Sequence, residues 1–501
     1  MANYVVLPAV SLLFLLVWLT GSKRRRLETP GPRRLPLVGN LFTGIVHEQM
    51  AAFANEFGSI FSVNLFGTDA IVVTSVSAAR ELFVKRSATY ATRLPLKMVE
   101  LCNFHQGLLF QPDANKLRQG RRLLLKGMAR RELEQYQDII QHHTLALLSR
   151  LLAEPDDFMN HIQTSMGDLS LEIGYGHRST GKDDVLARRS KDWVTNFTST
   201  IAFGGFLVNV FPILDRLPEW CPGAPHKKTA NAWRKDADNF RRDAYEMVKR
   251  AVNTGDGQPS IISKTLTEFR HALDEDVIIN SAAQMLTGGH TTVLTLQTFM
   301  LAMVLHPEAQ EKAKEEIHRV VGSDRLPTFS DWDDLPYTTG IVREVLRWHP
   351  VIPLLPRNPI QDDLLNGHFV PKDTMVIVNY WAMLHDEVIF PDHAAFRPER
   401  WSELKIDRTN DPFEIAFGFG RRVCPGRAAT KELLFTIIAS IIATFKISKA
   451  KDAHGNEITP PEEFTSGGVI GPVPFKCHIE PRSRVSSQLI AESIQSARIR
   501  A

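Results

Sequence analysis

Residues 417–426, Phe417-Gly418-Phe419-Gly420-Arg421-Arg422-Val423-Cys424-Pro425-Gly426, hold the densest chemistry in the chain. Gly418 and Gly420 permit positive φ and let backbone come close to a flat ligand. Pro425 suits the first position of a helix, and residues 427–438 continue with good helix formers. Cys424 is therefore expected at a helix N-terminus, where unpaired N–H groups and the dipole favour a thiolate over a thiol. A thiolate is a metal ligand. The competing reading is an inert buried cysteine in a glycine-rich turn. The whole spacing F-x-x-G-x-R-x-C-x-G points to the ligand. A dinucleotide loop is excluded, because Val423 stands where the third glycine belongs.

Two further clusters carry chemistry. Glu344 and Arg347 are three apart, so on a helix they share one face and pair. Thr287-Gly288-Gly289-His290-Thr291-Thr292 puts a hydroxyl and an imidazole beside two glycines. Paired glycines weaken a helix and are expected to open its hydrogen-bond ladder locally, making room for small molecules. An imidazole titrates near neutrality and relays protons.

Together these motifs resemble the cytochrome P-450 superfamily, whose cysteine-loop signature is met at every defined position. The resemblance covers nearly the whole chain. Segments such as MVLHPEAQEKAKEEIHRVVG and FTSGGVIGPVPFKCHIEPRS look like fungal enzymes that oxidise secondary metabolites. The resemblance implies a mainly α fold with small β-sheets, a helical prism around a buried haem b. It implies Cys424 as the axial iron ligand, a thiolate that pushes electron density toward bound oxygen. Arg422 would pair with a propionate, and Phe417, Gly418, Gly420 and Gly426 would shape the loop around the macrocycle. Glu344 and Arg347 would join Arg400, from Phe396-Arg397-Pro398-Glu399-Arg400-Trp401, in a structural lock behind the haem.

The chain also departs from the family pattern. Leu117 takes the tryptophan position of W-x-x-x-R, while Arg121 is kept. Pro356-Arg357-Asn358 replaces Pro-His-Arg. Arg121 and Arg357 are read as propionate partners, or else as solvated surface arginines. His290 replaces the usual acid before Thr291. Three readings stand: His290 relays protons, or it merely packs while water delivers them, or the reaction is not a standard hydroxylation. The expected function is insertion of one oxygen atom from O2 into a lipophilic small molecule, a terpenoid or polyketide intermediate. Alternatives are dehydration, rearrangement or coupling on the same cofactor, and a non-catalytic haem carrier.

These residues need a large scaffold, and 501 residues with 44% apolar content supply a sizeable core. A net charge of +3 gives no sign of a nucleic-acid partner. Four cysteines without C-x-x-C spacing suggest neither a zinc site nor a disulfide framework and fit a reducing compartment. Strands are expected at residues 59–66 and 70–74, around Gly67-Thr68-Asp69, and again at 374–380 and 474–479. Between about 77 and 347 the periodicity is helical, notably over 276–304 and 307–321. The apolar run 203–214 reads as core, and in the family it lies near the membrane.

Residues 4–20 carry no charge and are followed by Lys23-Arg24-Arg25-Arg26. The expected organisation is a single-pass anchor over 1–21, a basic and proline-rich linker over 22–40, a catalytic domain over 41–481 and a mobile polar tail over 482–501. A cleaved signal peptide carries its charges before the apolar stretch, the reverse of the order here. Basic residues stay cytoplasmic, so an endoplasmic reticulum membrane protein with a cytosolic domain is expected. No flavin or nicotinamide motif is present, so the resemblance implies that electrons come from a separate NADPH-dependent reductase. Lys116, Arg118, Arg121, Arg122, Lys126, Arg130 and Arg131, with Arg427 and Lys431, are expected to offer it a positive face.

Overall fold

The computed structural model describes residues 27–500, apart from 28, 36–38, 182, 203, 222–223, 270–272 and 366 and the side chains of 496–500. The expected anchor at 4–20 and the basic run after it lie outside the described residues. The chain divides into two compact units. One takes in the chain up to Leu94 with Ile352–Val388 and Gly418–Val423; the other takes in Pro95–Val351, Ile389–Phe417 and the chain from Cys424 on.

The first unit is built on helix α1 (Val46–Phe57) and four strands: β1 (Ile60–Leu65), β2 (Thr68–Val73), β3 (Leu354–Arg357) and β4 (Met375–Asn379). Their order is β1-β2-β4-β3, with β2 and β4 parallel and the other pairs antiparallel. Alternation sends Phe61, Val63, Ala70 and Val72 to one face, where they bury Met50 of α1. The β1–β2 turn differs from expectation, since Thr68 and Asp69 already belong to β2. Leu65 pairs with Thr68, leaving a two-residue turn of Phe66 (φ 48°) and Gly67 (φ 83°). Such a turn needs left-handed φ at both central residues. Asn64 Oδ1, accepting the Gly67 N–H at 3.0 Å, closes it around Phe66.

The second unit is helical, with α2 (Ala114–Gly127), α3 (Gln137–Ala153), α4 (Phe158–Tyr175), α5 (Val185–Ile201), α6 (Pro225–Thr254), α7 (Glu275–Leu305), α8 (Pro307–Val320), α9 (Pro336–Trp348) and α10 (Arg427–Thr444). Helix α7 is its axis. The Asp274 side chain caps it by accepting the Asp276 N–H at 3.0 Å, and Glu275 and Asp276 suit the positive end of the dipole. From Thr292 to Val304 all but one residue is buried, packed against α4, α9 and α10. Among the described residues α7 is the one helix long and apolar enough to cross a membrane, and most of it is core.

A small sheet at the C-terminal side pairs β5 (Phe445–Lys451) with β6 (Cys477–Pro481). The strand expected at 474–479 thus begins three residues later, past Pro474, which has no N–H to give a ladder. The polar tail is also not what the sequence suggests. It forms helix α11 (Arg484–Arg500), started by the Ser483 hydroxyl, which accepts the Ser486 N–H at 3.1 Å. Leu489, Ile490 and Ile494 fall on one helical face, and Ile490 is buried in the main core. The apolar run 203–214 is only partly core: Val208 is buried, while Leu207 is 64% exposed.

Candidate active site

The cysteine loop passes from one unit to the other and back. In the second unit the Cys424 N–H donates to Phe417 O at 2.8 Å, and Phe417 stacks on Phe413 with centroids 5.7 Å apart. Helix α10 begins at Arg427, with Gly426 as its cap, so Pro425 lies in the preceding turn rather than at the first helical position. Cys424 is accordingly three residues before the helix. Burial pushes its thiol up, while the Gly426 N–H and the Arg121 and Arg427 charges pull it down. Arg121, from α2, is thus brought into the electrostatic field of Cys424, a role different from the propionate partner or surface arginine expected of it.

In the first unit both loop glycines have left-handed φ, 79° at Gly418 and 62° at Gly420. A Cβ on Gly420 would sit 1.6 Å from Phe83 O, so no side chain fits there. A Cβ on Gly418 would lie 3.2 Å from the Tyr380 hydroxyl. Neither Phe83 nor Tyr380 is legible from the loop, being far away in sequence. Arg422 is buried, and its Nε donates to Ala91 O at 2.6 Å. Arg357 is 1% exposed; its Nη2 donates to Phe419 O at 3.3 Å and its guanidinium lies 4.7 Å over the Phe83 ring. The reading of Arg357 as a solvated surface residue is therefore wrong. Its Nε has no hydrogen-bond partner, and no carboxylate pairs with it among the described residues. A buried cation in that state suits a ligand carboxylate.

Helix α7 carries the threonine–histidine cluster and runs unbroken through it. The expected opening of its ladder is not there. The two glycines act separately instead. A Cβ on Gly289 would lie 2.3 Å from Ser170 Oγ, so Gly289 lets α4 approach. At Gly288 nothing lies within 4 Å of such a Cβ, and the residue is exposed in the middle of a core helix. The room comes from an absent side chain. The Thr291 hydroxyl donates to Gly288 O at 2.8 Å, which leaves its lone pairs for an incoming donor. His290 is partly buried, and burial holds its imidazole below the usual value of 6.5. Just upstream, the Thr287 hydroxyl donates to Gln284 O at 2.7 Å.

Glu344, Arg347 and Arg400 are all fully buried. Arg347 Nε and Nη2 donate to the two Glu344 oxygens at 3.0 and 2.8 Å, and Arg400 Nε donates to Oε1 at 2.9 Å. Trp401 Nε1 and the Arg397 N–H add bonds at 3.0 and 2.9 Å. The remaining guanidinium groups donate to the carbonyls of Pro391, Asp392, His393 and Ala395. The lock is thus a carboxylate accepting five hydrogen bonds, and the Trp401 contribution is not legible from the E-x-x-R spacing. The expected basic face is partly spent within the chain: Lys116 pairs with Asp274, Lys126 with Glu268, and Arg427 with Glu414 at 2.7 Å.

These parts match known proteins. The family model described as cytochrome P-450 matches residues 29–478. Cytochrome P-450 monooxygenase 176 of Postia placenta is 36% identical over 98% of this chain and 97% of its own length. Cytochrome P-450 monooxygenase claR of Ampulloclitocybe clavipes is 35% identical over 97% of this chain and 93% of its own. Among solved structures, a zebrafish cytochrome P-450 with abiraterone aligns with a TM-score of 0.69 at 21% identity, covering 87% of this chain and 100% of that one. That likeness is one of fold.

Proposed function

Because the chain belongs to the cytochrome P-450 monooxygenase family, we propose that Cys424 is its iron ligand and that it oxidises a terpenoid or polyketide in fungal secondary metabolism. The family uses haem held by a cysteine thiolate, with NADPH electrons supplied through a redox partner. Haem, when bound, supplies activation of O2, one oxygen atom going to substrate and the other leaving as water.

The chain's own residues do the rest. Arg121 and Arg427 bias Cys424 toward the thiolate, and the Gly426 N–H steadies its sulfur. Arg357 and Arg422, held by Phe419 O and Ala91 O, would be the cations for the propionates. Gly288 leaves the space in which oxygen and substrate meet. Thr291 accepts a proton donor there, and His290, neutral at physiological pH, relays protons inward. The residues of the expected basic face without an intrachain ion pair among those described, such as Arg118 and Arg122, offer docking charge for the reductase. An anchor over 1–21 would place the domain at the cytosolic face of the endoplasmic reticulum, where lipophilic substrates partition.

The observation that carries this reading is the bare face at Gly288, beside Thr291, in a helix otherwise committed to the core. The relatives' fungal source supports the substrate class. The test is incubation of microsomes holding this protein and a reductase with NADPH, 18O2 and a fungal metabolite extract. One 18O atom should appear in a terpenoid or polyketide product. A product that carries no 18O would favour dehydration, rearrangement or coupling instead.

A further inference from the structure

A segment with little regular structure of its own, residues 102–110, walls α7 at Gln284. A Cβ on Gly107 would lie 2.4 Å from Gln284 Oε1, and Leu108 Cδ2 lies 2.7 Å from where a Cβ of Gly120 on α2 would be. The segment therefore sits against α7 one turn before the bare glycine. Its short 3-10 turn, Phe104–Gln106, follows Asn103, which is left-handed at φ 61°. A residue there has no ladder to hold it, so something else must.

That something is a polar cluster on α6. The Asn103 side-chain amide donates to Asp238 Oδ1 at 2.9 Å, and Arg241 Nη1 donates to Asn103 O at 3.2 Å. Asn103 is thus gripped at both its side chain and its carbonyl. Arg241 is 5% exposed, and its remaining donors go to Ala237 O at 3.2 Å, to Asp238 and to Asn280 of α7. Asn280 is in turn oriented by its own Nδ2, which donates to Asp276 O at 2.7 Å. A second tie lies nearby: the Met98 N–H donates to Asn209 Oδ1 at 2.8 Å, and Asn209 Nδ2 donates to Thr200 O at 2.9 Å.

We propose that Asp238 and Arg241 are positioning residues that latch Asn103, and through it the 102–110 wall, onto α6 and α7, and so set which ligands the site admits and retains. The inference rests on the monooxygenase reading only for the location of the site. A rigid fork satisfied by three elements fixes their spacing, and losing it frees the one element without a ladder. Small ligands do not press on the wall; bulky ones do.

Dissociation of imidazole and of 4-phenylimidazole from the holoprotein, followed by the haem absorbance shift, separates these cases. Arg241→Ala should speed release of 4-phenylimidazole roughly tenfold, as expected for loss of charged hydrogen bonds, and leave imidazole within about twofold. Asn103→Asp puts two carboxylates together and should act in the same direction. Adding Asp238→Asn to it restores an amide–carboxylate pair and should return release to the wild-type rate. Equal release of both ligands in all variants would overturn the latch, as would failure of the double variant to recover when its haem content is normal. A wild-type protein that takes up no haem would instead count against the monooxygenase reading.

Discussion

At the scale of single residues, the glycines of the cysteine loop were legible because its parts are contiguous, and they have the left-handed φ the spacing implies, whereas Pro425 falls before the helix rather than at its first position. Its supports were not. Phe83 O, the Tyr380 hydroxyl and Ser170 touch these motifs from distant parts of the chain, and one sequence gives no pairing information at that range. His290 shows a second limit. Its type suggested titration near neutrality, but burial lowers its pKa below 6.5, so the neutral imidazole persists into mildly acid solution. As pH falls, the unfolded chain protonates His290 first, so this residue costs stability below about pH 6.5. Activity that uses the neutral relay should hold through neutrality and fall only below that range. His290→Ala should lower product per NADPH by roughly tenfold or more, with peroxide rising in its place. His290→Asp should recover most of the loss, and Thr291→Ala should uncouple as His290→Ala does. Unchanged product per NADPH in His290→Ala would leave ordered water and Thr291 as the route.

At the scale of elements, the Glu344 lock holds α9 to the 391–401 segment. The helical spacing of Glu344 and Arg347 made their pairing readable, whereas the carbonyls that satisfy both guanidiniums could only come from the fold. Removing the carboxylate strands two buried cations, a loss of about 3–5 kcal/mol. Glu344→Ala should therefore yield protein that does not retain haem; purified variant with full haem content and reduced turnover would contradict this. Helix α11 teaches the opposite lesson. Its polar composition read as a mobile tail, because three apolar residues on one face are a weak signal beside many serines and arginines. Burial of Ile490 nonetheless ties it to the core, and Ile490→Ala should cost about 2–5 kcal/mol in denaturant unfolding of the holoprotein. A change below about 0.5 kcal/mol would mean that the helix is dispensable to the fold.

For the molecule as a whole, helical content was readable from periodicity, but the arrangement of helices and small sheets came from resemblance to a family, because periodicity fixes faces and not partners. Membrane anchoring, expected from the sequence, is tested at this scale as well. If the apolar run 4–20 anchors the chain with Lys23–Arg26 on the cytosolic side, protease added to sealed microsomes should digest the catalytic domain; complete protection would place the domain in the lumen. The central claim is that the folded chain holds haem iron through Cys424. It is tested most directly by reducing the purified protein under carbon monoxide and recording the Soret band. Wild type should give the long-wavelength band of thiolate ligation and Cys424→Ala should lack it, while an identical band in both proteins would contradict the assignment.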